Sequence, residues 1–342
     1  MNEPMNLATD TAPRNAQWYP KKRPSFAYPG AKYNLAPKLC ALMPRDCNRF
    51  IDLFAGRGNV TWAAMCDRTL HFEEFWLNDL LTFPFFAALL AADKFAVPRR
   101  SRELFNEMRW RGKHGFSALQ QPWLLSPETW IYNVRETQRK KLGWDQIIVR
   151  GTPADGAVTN ASSMGIAGVP VKIPGAVDII RLLSEAYLLE SYLSFSGGGY
   201  TKASMRGAEG RGGPSRDGYG QSLLAAQKLL QTRNAKITAL DYHAVLDALR
   251  PGDFVFCDPP YVGANVRTYG WTLQQNIEFR DILLNDKLGC KWMLTEYPDP
   301  IYDPLTKNFG KPKKFHVRKS QSISHYTGGK RRPAIECVWG NY

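Results

Sequence analysis

Several features are scarce or missing in this 342-residue chain, and each absence narrows the choice. No apolar run reaches the eighteen or so residues that span a bilayer, and the amino terminus carries no apolar core of the kind that directs secretion. The expected location is the cytoplasm. The six cysteines (Cys40, Cys47, Cys66, Cys257, Cys290 and Cys337) are scattered without a C-x-x-C pair, and the five histidines show no ligand spacing. Free, mostly buried thiols are expected, and no metal. Acidic residues are outnumbered, 31 against 45 Lys plus Arg, which leaves a formal charge of +14. That surplus favours a polyanionic partner, because each neutralised phosphate releases counterions. Apolar residues make up 44%, enough for a sizeable core in one large domain or two ordinary ones.

The stretch around which the chain is organised is Phe254-Val255-Phe256-Cys257-Asp258-Pro259-Pro260-Tyr261. The apolar run is short and β-prone, so it reads as a buried strand. Two prolines can continue neither a ladder nor a helix. The chain therefore leaves the sheet abruptly, with Asp258 at a strand's carboxyl end, where open α/β sheets bind ligands. An ionised Asp258 and the carbonyl of Pro259 are two neighbouring acceptors, able to hold both protons of one planar amino group. Accepting both N–H bonds favours a pyramidal nitrogen whose lone pair can attack. Tyr261 offers a face on which a base can stack, worth roughly 1–3 kcal/mol. Cys257 precedes the prolines within a strand pattern, so it reads as core rather than as a nucleophile.

Other segments suit a nucleotide-like ligand. Gly30 permits a tight turn into a helix marked by Leu35, Leu39 and Leu42. Lys32 is expected in the first turn of that helix, where the dipole disfavours a cation, so it should answer a negative ligand group such as a carboxylate. Phe50 to Val60 reads as strand, glycine turn and helix. Gly56 and Gly58 would let a ligand approach the backbone. The third glycine of a dinucleotide fingerprint is missing, which argues against a dehydrogenase. The stretch Glu74–Asp79 reads as the next strand, ending in an acid about twenty residues after the glycines, where such folds place the ribose-binding carboxylate. Asp79 can also cap the following helix.

Asp258-Pro259-Pro260-Tyr261 resembles the catalytic motif of amino-methyltransferases that act on nucleic-acid bases. Its leading Asp resembles the N6-adenine enzymes more than the N4-cytosine ones. Phe26-Ala27-Tyr28-Pro29-Gly30-Ala31-Lys32 and Asp52-Leu53-Phe54-Ala55-Gly56-Arg57-Gly58 resemble two further motifs of the Dam-type (D12 class) family. So do the pair Asn78-Asp79 and the closing pattern from Glu336 to Tyr342. The resemblance covers about residues 26–92 and 236–342. It implies an α/β, Rossmann-like S-adenosylmethionine-dependent methyltransferase fold: a mostly parallel, doubly wound sheet with a reversed last strand, plus an inserted target-recognition domain.

The resemblance also implies roles. The cofactor, S-adenosylmethionine (product S-adenosylhomocysteine), would be held by Tyr28, Gly30, Lys32, Asp52, Phe54, Gly56, Gly58, Asp79, Asp241 and Tyr242. Asp241 either accepts from the cofactor's adenine or caps a helix. Asp258, Pro259, Pro260 and Tyr261 would act on the N6 of an adenine flipped from double-stranded DNA. From about 98 to 236, basic side chains interleave with aromatics, which suits phosphate contact and base stacking. Tyr200, Lys202 and Arg206 there, with Lys330 and Arg331 near the carboxyl end, are the candidate DNA contacts. The expected organisation is a flexible tail over 1–17, a catalytic domain from 18–98 and 236–342, and a recognition insertion over 99–235. Within it, 105–175 has no counterpart in the family, and 151–176 reads as loop or short strands. A monomer is expected, with a transient dimer on DNA as the alternative. Two other readings remain: an RNA adenine methyltransferase, and a DNA-binding protein with a vestigial cofactor pocket.

Overall fold

The computed structural model describes residues 18–26, 30–80, 82, 85–86, 89–90, 147–150, 164–166, 218–262, 271–285, 288–318 and 333–342. The strands are β1 Arg49–Asp52, β2 Glu74–Asn78, β3 Ile147–Arg150, β4 Met164–Ile166, β5 Ala235–Thr238, β6 Asp253–Cys257, β7 Lys291–Glu296, β8 Lys313–Arg318 and β9 Pro333–Gly340. They form one sheet in the order β4-β3-β5-β2-β1-β6-β7-β9-β8.

The central block, β5-β2-β1-β6-β7, is parallel throughout. Its strands are short apolar runs because both faces are covered. In β6, Phe254 and Phe256 face one core, with Leu39, Trp62, Phe75 and Phe85. Val255 and Cys257 face the other, with Phe279, Trp292, Tyr302 and Trp339. Burying each such ring stabilises the fold by about 1.5–3 kcal/mol. Helices α1 Ala36–Leu42, α2 Asn59–Cys66 and α3 Tyr219–Thr232 supply the first layer, and α4 Tyr242–Leu246, α5 Leu273–Leu284 and α6 Asp303–Phe309 the second. Thr272 caps α5 through a reciprocal pair with Gln275. All six cysteines are free, and Cys257 is fully buried.

The reversed last strand is β9, which lies between β7 and β8 and runs antiparallel to both. A second reversal was not expected. β3 pairs antiparallel with β5, and β4 with β3. Together they cover the edge of β5, which would otherwise present unpaired backbone groups. Both come from the stretch without a family counterpart, and three or four residues carry too little periodicity to read as strand. Helix α3 also lies inside the expected insertion, yet its Leu223, Ala226, Leu229 and Leu230 are buried against the sheet.

The chain passes from β1 through α2 to β2 on one side, while β6 pairs on the other side of β1. The strand order therefore switches between β1 and β6. In open sheets of this kind ligands bind in the crevice outside the carboxyl ends at such a point, here beside residues 53–58 and 258–261.

Candidate active site

Asp258 and Tyr261 follow directly from β6, and the β1 turn stands beside them. Leu53 N donates to Phe256 O at 3.0 Å, which ties the turn to the end of β6. Gly56 and Gly58 have φ of 54° and 70°, a conformation side chains resist. A Cβ on Gly58 would also meet Trp62 Cε2 at 3.0 Å and Phe86 Cε1 at 3.3 Å. The turn is held from outside by Asp79, whose Oδ2 accepts from Gly56 N at 2.9 Å and whose Oδ1 accepts from Thr82 N at 2.7 Å. The second bond is the capping geometry expected of an Asp in front of a helix.

Asp52, at the end of β1, is buried and pairs with Thr61 Oγ1 through Oδ2 at 2.5 Å. Burial pushes its carboxyl up to about 7, against the Thr61 bond and with help from Asp258 and Asp79. Its other oxygen, Oδ1, is buried with no hydrogen-bond partner among the described residues. An orphan carboxylate oxygen in a polar crevice is a receptor for a cation or an N–H group.

Lys32 departs from its expected place. Helix α1 begins at Ala36, with Pro37 in its first turn, so Lys32 lies in the turn before it. The dipole argument for a ligand carboxylate therefore fails, and the carboxylates that Lys32 meets belong to the chain. Its Nζ lies 2.9 Å from Asp258 Oδ1 and 3.3 Å from Glu336 Oε1, and 4.5 Å from the centre of the Tyr261 ring. Burial opposes its charge, but the two carboxylates outweigh that and raise its pKa.

Asp258 Oδ1 also accepts from Thr295 Oγ1 at 2.9 Å. Among the described residues no side chain or backbone group donates to Oδ2, nor to the Pro259 carbonyl. The Tyr261 hydroxyl donates to Glu336, and its ring stands edge-on to Tyr297, centroids 4.6 Å apart. Beneath the loop Glu296 is fully buried. It accepts from Tyr297 N at 2.7 Å and Val262 N at 3.3 Å. Burial nonetheless pushes its carboxyl up to about 8.

Across the crevice, Phe54 and Tyr242 form an aromatic group with Trp271 and Phe279. Asp241 caps α4 by accepting from His243 N at 3.0 Å, and it also meets His243 Nδ1 at 2.9 Å. Of its two open roles, the capping one is the role seen. Gly30 has φ of 80° and accepts from Lys32 Nζ. Tyr28, Tyr200, Lys202, Arg206, Lys330 and Arg331 lie outside the described residues.

A family model for D12 class N6 adenine-specific DNA methyltransferases matches residues 28–141 and 221–319, more than half of the chain, so residues 105–141, expected to have no family counterpart, do have one. The chain belongs to this family. It is an adenine-specific DNA methyltransferase. No curated protein matches it.

Beside the site segments of the methyltransferase lie residues for which the sequence suggested no site role. Thr295 and Glu336 touch the Asp258–Tyr261 segment, and Glu296 accepts from Val262 N directly after it. Asn78 clamps three strand ends. Its Nδ2 donates to Leu53 O and Leu240 O, and its Oδ1 accepts from Thr238 Oγ1 and Leu240 N. The available signal was an acid or amide set at the end of, or inside, an apolar strand, as in Ile335-Glu336-Cys337-Val338-Trp339.

Proposed function

We propose that the methyltransferase uses S-adenosylmethionine to methylate the N6 amino group of an adenine extruded from duplex DNA. The observation that carries this is that Asp258 and the β1 glycine turn follow neighbouring strands, β6 and β1, at the switch point of the sheet. The residues present fit the cofactor. The orphan Oδ1 of Asp52 suits an α-ammonium group. The positive-φ turn at Gly56 and Gly58 allows close backbone approach, Asp79 stands where ribose hydroxyls are bound, and Phe54 and Tyr242 offer apolar faces to an adenine ring. When bound, the cofactor supplies an electrophilic methyl group on sulfonium sulfur, which departs as a neutral thioether.

The chain's own groups prepare the acceptor. Lys32 and Thr295 hold Asp258 through Oδ1, so Oδ2 is the oxygen aimed at the base. Oδ2 and the Pro259 carbonyl accept the two N6 protons. The nitrogen lone pair is thereby left free to take up the methyl group that the bound cofactor would supply. N6 loses one proton afterwards, and Asp258 is the base in contact with it. Tyr261 carries the adenine ring by stacking, which offsets part of the few kcal/mol that extrusion costs. Positioning and acceptors aimed at growing positive charge account for the rate.

The insertion over 99–235 is the target-recognition region, with Tyr200, Lys202 and Arg206 on DNA and Lys330 and Arg331 beside them. The enzyme works in the cytoplasm as a monomer. The test is expression in a host that lacks adenine methylation, followed by sequencing of its DNA for N6-methyladenine, with RNA as a competing substrate in vitro. Unmodified DNA, or transfer to RNA alone, would refute the proposal.

Asp79→Ala is expected to weaken S-adenosylhomocysteine binding by roughly 1.5–3 kcal/mol, the range for hydrogen bonds to a charged group. Calorimetric titration checks it, and a 2′-deoxyribose analogue should lose little further affinity in the variant. Unchanged affinity would remove Asp79 from the cofactor site.

A further inference from the structure

One buried acid at the site is not used by the mechanism above. Glu336 is 3% exposed, on a strand whose next residues, Cys337, Val338 and Trp339, are buried and apolar. A carboxylate in such a strand is unfavourable unless it is paired. Both of its partners belong to the candidate site. The Tyr261 hydroxyl donates to Oε1, and Lys32 Nζ lies 3.3 Å from the same oxygen. The reversed direction of β9 puts it there. Cys337 is opposite Glu296, so the early residues of β9 lie at the carboxyl edge of the parallel block. Residue 336 also lies beyond the segments that match the family, the second of which ends at 319.

We propose that Glu336 is a positioning residue for methyl transfer, acting through Tyr261 and Lys32 rather than on the substrate. This rests on the reading of Asp258 and Tyr261 given above. Besides the Lys32 ammonium near its centre, two contacts restrain the Tyr261 ring. One is the edge-on contact with Tyr297, at an interplanar angle of 82°, and the other is the hydroxyl bond to Glu336. The first is apolar and tolerates swinging of the ring; the second pins its far end. A base stacked on a swinging ring would spend less time in line for attack, and a misplacement of about 1 Å can cost 10²-fold. The second effect is electrostatic. Glu336 shares the Lys32 ammonium with Asp258. Without Glu336 the whole attraction of Lys32 falls on Asp258, which becomes a poorer acceptor for N6 protons. Neither effect reaches the glycine turn, where the cofactor is read to bind.

The test compares Glu336→Leu, Glu336→Gln and Tyr261→Phe, with the Glu336→Leu/Tyr261→Phe pair, in the full-length enzyme. Single-turnover transfer from radiolabelled S-adenosylmethionine to unmethylated plasmid DNA is measured beside calorimetric S-adenosylhomocysteine affinity. Glu336→Leu and Tyr261→Phe should each slow transfer about tenfold or more, with cofactor affinity within about twofold of the parent. Tyr261→Phe should add little in the Glu336→Leu background, where the hydroxyl has already lost its partner. Glu336→Gln keeps an acceptor oxygen and should recover part of the rate. A parental rate for Glu336→Leu, or equal losses from Tyr261→Phe in both backgrounds, would overturn the proposal. If Glu336→Leu does not fold, a parental rate for Tyr261→Phe overturns it alone. An active Asp258→Ala enzyme would instead sink the reading of the site itself.

Discussion

Replacing Asp258 by alanine is expected to lower methyl transfer into DNA by at least about 10²–10³-fold while leaving cofactor affinity within about twofold. The argument is one of position. The carboxylate follows β6 directly, fixed through Oδ1 by Lys32 and Thr295, so it cannot turn away from the crevice. Alanine removes the acceptor that aligns N6 and the base that takes up its proton. Water would fill part of the gap, but as a mobile acceptor it lacks the preorganisation that makes such groups effective. The glycine turn and Asp79 touch neither Oδ1 nor Oδ2 of Asp258, so cofactor binding should survive. Folding should survive as well, because Lys32 retains Glu336. Radiolabelled transfer and calorimetry on one preparation check both halves. Turnover at the parental rate would remove Asp258 from the mechanism.

The largest effect on stability is expected from Lys32→Met. Lys32 lies between two carboxylates, with its side chain 9% exposed and those of Asp258 and Glu336 18% and 4% exposed. Methionine matches its bulk but leaves the carboxylates facing each other without a cation. Breaking a buried ion pair from one side destabilises by roughly 3–5 kcal/mol. The folded pKa of Lys32 is raised above its ordinary 10.5, so its stabilisation is fully present below pH 10.5 and is lost only above that. The parent protein should show no loss from this group between pH 5 and 8. The variant should. Burial already raises the pKa of Glu336, and losing Lys32 raises it further, so the acid takes up a proton as the pH falls. The repulsion is then relieved, and the deficit should shrink from pH 8 to pH 5. Denaturant unfolding at the two pH values measures this. An equal deficit at both would show that packing, and not charge, is what Lys32 contributes.

Local order carried much of this into the sequence. The apolar run before Asp258 reads as a strand because covered parallel strands need no polar alternation. The turn at Gly56 and Gly58 reads as a turn because glycine adopts the positive φ that other residues resist. The contacts that complete the site were not legible. Lys32 and Glu336 meet across almost the whole chain, and nothing in the spacing of either announces the other. The expected helical position of Lys32 failed because Leu35, Leu39 and Leu42 mark a helical face but not where the helix begins. Strand β3 was missed, and β4 was read only as loop or short strands, because strands so short are fixed by the neighbour they cover rather than by their own pattern.

The placement of β9 has a consequence for biosynthesis. β8 leaves the ribosome first, yet its partner in the sheet is β9, and the free side of β7 waits for the same strand. Until residues 333–340 have emerged, the nascent chain carries an open strand edge of the kind that invites association with other chains. The same strand brings Glu336 to Lys32 and Tyr261. Closure of the barrier to aggregation and completion of the reaction centre are thus one event, and a chain arrested earlier would be both sticky and silent towards DNA.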